Sequence, residues 1–180
     1  MEYKKILEYF TDQAKSGVWD SLYDPANPLS HSFIHRYRKS INLVNFKENT
    51  NIIDLGCGTG ILVKFALENN LQYYGMDNSS EMLDYIKKNY NNEVDKKKVT
   101  LILADFQEYD PLDKFDIFFG IGFIEYFNDP FIQISRMLKN LNNKNQIILS
   151  FPNSGSLDSL MLKILYLPKL IIRKIFNKKT

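Results

Sequence analysis

Three glycines alternate at positions 56, 58 and 60 in the run IIDLGCGTG, just behind an acidic residue, Asp54. Glycine has no Cβ and enters the positive-φ region freely, so a ligand can approach the main chain here, where a strand gives way to a helix. Taken alone, the run also reads as a tight turn. Two further carboxylates give it a second meaning. Asp77 closes the next apolar run, where a carboxylate can accept both hydroxyl hydrogens of a ribose. Asp105 ends a third, where a carboxylate can accept from an exocyclic amine, and the adjacent Phe106 can lie against a purine. Three strand ends therefore converge on one nucleoside-shaped ligand.

The elements that must position these residues read as repeated βα units. Strands are expected near 51–56, 71–77, 99–105, 115–122 and 146–153, where short β-branched or apolar runs are bounded by turn residues. Helices are expected near 61–69, from Ser79 or Ser80 as N-cap to Tyr90, and from the Asp129-Pro130 pair onward. The polar segment NNEVDKKK reads as a solvated loop. Five strands separated by helices argue for an α/β fold with a doubly wound, mostly parallel sheet. Helical pieces near 3–15 and 30–45 belong to no βα unit and are expected to pack across one end of that sheet. The expected organisation is a helical lid over 1–45, a core over 46–155 and a basic apolar helix over 156–180.

Composition narrows the function. With 180 residues, 44% of them apolar and 24% charged, the chain has the length and balance of one globular domain. Cys57 is the single cysteine and His31 and His35 are the two histidines, which leaves no disulfide framework and no metal site to expect. No signal-like segment and no charge-free stretch of about twenty residues is present, so a cytoplasmic location is expected. The net charge of +2 is too mild to argue for nucleic acid, and no basic stripe with interleaved aromatics appears.

On these motifs the chain resembles the Rossmann-type, class I S-adenosylmethionine-dependent methyltransferases of small molecules, over roughly residues 45–155. DLGCGTG resembles their glycine motif, GMDNSSEML their acidic loop with its following helix, ADF their adenine-contacting segment, and FDIFFGIGFIEYFNDP their fourth-strand motif. The resemblance implies S-adenosylmethionine as cofactor and S-adenosylhomocysteine as product. It implies that Asp77 holds the ribose and that Asp105 and Phe106 lie by the adenine. Gly56, Cys57, Gly58 and Gly60 would then border the methionine moiety, with Asp54 helping to place its ammonium group, and Asn78, Met82 and Gly120 are expected among the cofactor-binding residues. A dinucleotide site would instead expect Gly-x-Gly-x-x-Gly and no acid beside a pyrophosphate.

The expected reaction is methyl transfer to a small-molecule acceptor, with O- or N-methylation favoured. The alternative is a cofactor-binding protein without turnover that serves assembly or regulation. No catalytic residue is fixed by the sequence; Tyr126 and His35 are the candidates, with His31 and Glu125 near the same mouth. Many members of the resembled family carry His where Tyr126 stands. Trp19, Tyr23 and Phe33 could close over the methionine end while Arg36 pairs with its carboxylate, although packing alone also explains the aromatics.

The last segment is basic and apolar: Lys163, Lys169, Arg173, Lys174, Lys178 and Lys179 stand against only Asp158. A covering helix, a peripheral membrane contact through 156–180 and a partner surface all fit it. The antiparallel strand pair that completes the sheet in the resembled family does not follow residue 155, so either a shortened form or another cover for the edge of the fifth strand is expected.

Overall fold

The computed structural model describes residues 30–109, 115–139 and 145–151, with 12, 21, 23, 24, 26 and 27. The chain divides into two compact units, Met1–Ser150 and Phe151–Thr180, and every described helix and strand belongs to the first. Of the expected helix over 3–15, Asp12 alone is described, and it is helical. Trp19 and the segment 156–180 lie outside the described residues, and with that segment lies the expectation of a shortened form.

Five strands form one parallel sheet: β1 (Asn51–Leu55), β2 (Gln72–Asp77), β3 (Val99–Leu103), β4 (Ile117–Gly120) and β5 (Gln146–Leu149), in the order β3-β2-β1-β4-β5. This is the doubly wound parallel sheet that the βα units imply. The order reverses beside β1, which pairs Ile53 with Tyr74 of β2 on one side and with Phe118 of β4 on the other. At such a switch point the strand ends diverge and leave a crevice.

β4 reads as an unbroken apolar run, and β1 is buried along all but its first residue, because both their faces are covered. On one face Ile52, Tyr73 and Phe119 meet helices α1 (His31–Asn42), α2 (Val63–Glu68) and α3 (Ser80–Asn89) through Tyr37, Ile41, Phe65, Leu83 and Ile86. On the other, Ile53, Leu55 and Phe118 pack with Met137 of α5 (Pro130–Lys139). The caps expected for α3 and α5 form. Ser79 Oγ accepts from Met82 N, and Asp129 Oδ1 accepts from Phe131 N at 3.0 Å and Ile132 N at 3.3 Å.

Two expectations change. NNEVDKKK is not a loop throughout: its first half forms the short helix α4 (Asn91–Asp95), which Val94, with the preceding Tyr90, holds against the core. Polarity counts miss a helical turn anchored by one valine. The third strand stops at Leu103 rather than Asp105, because Asp105 Oδ1 accepts from Gln107 N and starts a turn.

Candidate functional site

The glycine loop leaves β1 in left-handed backbone, with φ of 66° at Gly56, 51° at Gly58 and 81° at Gly60. Gly56 N and Cys57 N both donate to Met76 O, which fastens the loop to the end of β2. The three glycines are not equivalent. A Cβ on Gly56 would lie 2.6 Å from Phe123, and one on Gly60 would lie 2.9 Å from Ile86 and Val63. On Gly58 it would meet nothing within 4 Å. Packing thus forbids a side chain at 56 and 60, whereas Gly58 borders open space.

Asp77 ends β2 beside that space. Its Oδ2 accepts from Gly58 N and its Oδ1 from Ser79 N, each at 2.9 Å. Burial pushes this carboxyl above its usual range, and the amides of Ser79, Gly58 and Asn78 pull it back. Each oxygen keeps acceptor capacity for a hydroxyl. Asp54, one strand away, is buried and accepts from the Tyr73 hydroxyl at 3.0 Å. Its pKa is raised to about 7: burial is the main cause, the phenol opposes it, and Asp77 adds to the rise. Cys57 is buried with its thiol pushed well above the ordinary value, chiefly by burial, so it is a packed thiol rather than a nucleophile.

Of the other expected cofactor residues, Phe106 is placed differently from the expectation. The ring of Phe106 is 3% exposed and packs against Phe123 and Phe127, so it is part of the core and offers no free face to a purine. Arg136, which the sequence reading missed, covers the same ring at 5.1 Å and donates to Phe106 O and Tyr109 O, pinning the loop that carries Asp105. Met82 is buried in the first turn of α3, while Asn78 is half-buried between Asp77 and the cap. Gly120 is explained by packing, since a Cβ there would lie 2.7 Å from Leu149.

Beyond β4 a second polar group forms. Arg36 of α1 lies 5.1 Å over the Phe33 ring, which meets Tyr23 edge-on. Its guanidinium packs against Gly122, where a Cβ would come within 3.1 Å, and stands 4.0 Å from Glu125 Oε1. Arg36 Nε and Glu125 Oε2 are buried atoms without a hydrogen-bond partner. Burial raises the Glu125 carboxyl despite Arg36. Tyr126 follows on a short 3-10 turn and is 38% exposed. His35 stacks on His31 along the exposed side of α1, opposite the face that packs on the core through Tyr37 and Ile41. Among the described residues no cluster of three metal-ligating side chains occurs, and no helix is long and apolar enough to cross a membrane.

Sequence comparison agrees with this architecture. A family described as a methyltransferase domain matches residues 52–143. Malonyl-[acyl-carrier protein] O-methyltransferase of Priestia megaterium is 24% identical over 160 residues, covering 87% of this chain and 55% of that protein. (S)-Coclaurine N-methyltransferase of Papaver somniferum is 27% identical over 128 residues, covering 70% of this chain and 35% of that one. Phosphoethanolamine N-methyltransferase 2 of Haemonchus contortus, solved with S-adenosyl-L-methionine, superposes with a TM-score of 0.66 at 22% identity, over 83% of this chain and 35% of that chain. The chain spans about half or less of the length of these relatives. It belongs to the methyltransferase-domain family.

Proposed function

We propose, from that membership, that this domain binds S-adenosylmethionine across the carboxyl ends of β1 and β2 and transfers its methyl group to a small-molecule acceptor, by O- or N-methylation. The observation that carries the reading is the pairing of the left-handed loop with Asp77: open space at Gly58 borders a carboxylate already oriented by two backbone amides. The relatives named above, one an O-methyltransferase and the others N-methyltransferases, support the choice of acceptor atom.

S-adenosylmethionine, when bound, supplies a methyl group on a sulfonium leaving group. The work left to this chain is alignment, and alignment alone lowers such a barrier by several kcal/mol. Asp77 would accept the ribose hydroxyls, the main chain of residues 56–60 would border the methionine moiety, and Asp105 would meet the adenine amine. Asp54 would face the ammonium group and Arg36 the carboxylate. An acceptor hydroxyl or amine must lose a proton, and Glu125 and Tyr126 are our candidates to receive it. The unpartnered Oε2 of Glu125 supports the former.

A second reading is a domain that binds the cofactor without turnover and serves assembly or regulation. Calorimetry with S-adenosylhomocysteine tests binding for both; a folded chain that gives no heat with it refutes both. Mass spectrometry of extracts from the native host, incubated with the protein and isotopically labelled S-adenosylmethionine, separates them. Only the first predicts a labelled methylated product.

A further inference from the structure

Asp54 stands in a setting that its proposed contact alone does not explain. Tyr73 is a fully buried residue of β2, and a phenylalanine would fill the same volume without burying a hydroxyl. Its hydroxyl reaches Asp54 by running along its own strand over Gly75, the residue paired with Asp54 across the sheet. A Cβ at Gly75 would lie 2.9 Å from the Tyr73 ring and 3.0 Å from both its hydroxyl oxygen and Cys57 Sγ. Gly75 has no positive φ, so its role is to leave room for the phenol.

Among the described residues, Tyr73 is the only hydrogen-bond donor to the Asp54 carboxylate. The other titratable groups facing it are Asp77 from the end of β2, Cys57 from the glycine loop and Tyr23 from the N-terminal segment. Arg36 stands beside Tyr23 and pairs with Glu125 rather than Asp54. The phenol is therefore the group that favours the ionised carboxylate, and it binds one oxygen, Oδ2.

We infer that Tyr73 is a positioning residue for the cofactor: its hydroxyl favours the ionised form of Asp54 and fixes it by Oδ2, leaving Oδ1 for the ligand's ammonium group, so that cofactor affinity follows the ionisation of Asp54. The inference rests on the proposed S-adenosylmethionine site. Its test is calorimetric titration of the full chain with S-adenosylhomocysteine between pH 6 and pH 9, for the unmutated protein, Tyr73→Phe, Asp54→Asn and Tyr74→Phe. The ligand's own amine titrates alike in every arm, so the differences between variants carry the result.

The unmutated chain gains affinity as pH rises through about 7. Loss of a hydrogen bond to the charged form moves that midpoint up by about one pH unit in Tyr73→Phe. Affinity then falls about tenfold at pH 6 and hardly at pH 9. Asp54→Asn removes the step, and Tyr74→Phe, whose ring packs with Phe115 on the opposite face, keeps the unmutated profile. A Tyr73→Phe profile that matches the unmutated one, or is weaker by the same factor at every pH, overturns the inference and leaves the site reading intact. Absence of binding by the folded unmutated chain overturns the site reading first. Should Tyr73→Phe not fold, 3-fluorotyrosine at position 73 keeps the hydroxyl and makes it a stronger donor: the midpoint moves down if the inference holds and stays where it is if it fails.

Discussion

The carboxyl ends of β1 and β2 and the carboxyl end of β4 are neighbours in one sheet and are built differently. At the first, polar groups are already partnered. Met76 O accepts two loop amides, Asp77 holds Gly58 and Ser79, and Asp54 holds Tyr73. At the second, Arg36 makes a long ion pair with Glu125, stands over the Phe33 ring and bonds the Tyr23 hydroxyl, yet Arg36 and Glu125 each keep a buried polar atom without a partner. Buried polar groups are costly to leave unpaired. The contrast separates a preformed half from one that keeps unpartnered polar atoms for ligands, in our reading the cofactor's carboxylate at Arg36 and the acceptor at Glu125.

The largest effect that could break this comparison lies in the glycine loop. Gly60→Ala combines overpacking against Ile86 and Val63 with a positive φ and should cost about 3 kcal/mol in denaturant unfolding. Gly58→Ala meets no neighbour and should cost only about 1 kcal/mol, while S-adenosylhomocysteine binding falls sharply. Equal stability losses at the two positions would show that the space beside Gly58 is closed.

Asp77→Ala should weaken S-adenosylhomocysteine binding on the order of a hundredfold, the loss of charge-assisted bonds to two hydroxyls, as read by calorimetry. A smaller effect comes from pH. The folded pKa of Asp54, about 7, lies above the unfolded value near 3.8, so its contribution to stability is full below about pH 4 and is lost as pH rises to about 7. Urea titrations across that window should show the decline in the unmutated chain and a flatter profile in Asp54→Asn. Glu125 has the same sign, and Glu125→Gln should remove a lesser part of the slope. Smallest is Arg36→Met: binding should fall about tenfold, with little loss of stability because the ion pair it breaks is long and partly exposed. A larger loss of stability there would mean that the second region is as structural as the first.

What the sequence shows in advance is what depends on neighbours along the chain. The glycine run, Asp77, the cap at Ser79 and the Asp129-Pro130 start of α5 are local signals, and each lies where the spacing puts it. Contacts across the sheet are not legible in this way. Tyr73 reads as one more apolar strand residue, since nothing in QYYGMD says that its hydroxyl passes Gly75 to reach Asp54. Arg136 reads as a solvated helix residue, yet it clamps a loop some thirty positions earlier. Phe106 and His35 show the converse: the right residue types, with one ring absorbed into the core and the other turned outward. Which face of α1 meets the sheet is decided by Tyr37, Ile41 and Ser40 rather than by the histidines.

Calorimetric titration of S-adenosylhomocysteine into the unmutated chain, paired with Asp77→Ala of verified fold, tests the central claim most directly. The account predicts saturable one-to-one binding that Asp77→Ala weakens on the order of a hundredfold. Binding of equal strength in both proteins, or none in the unmutated chain, would contradict it.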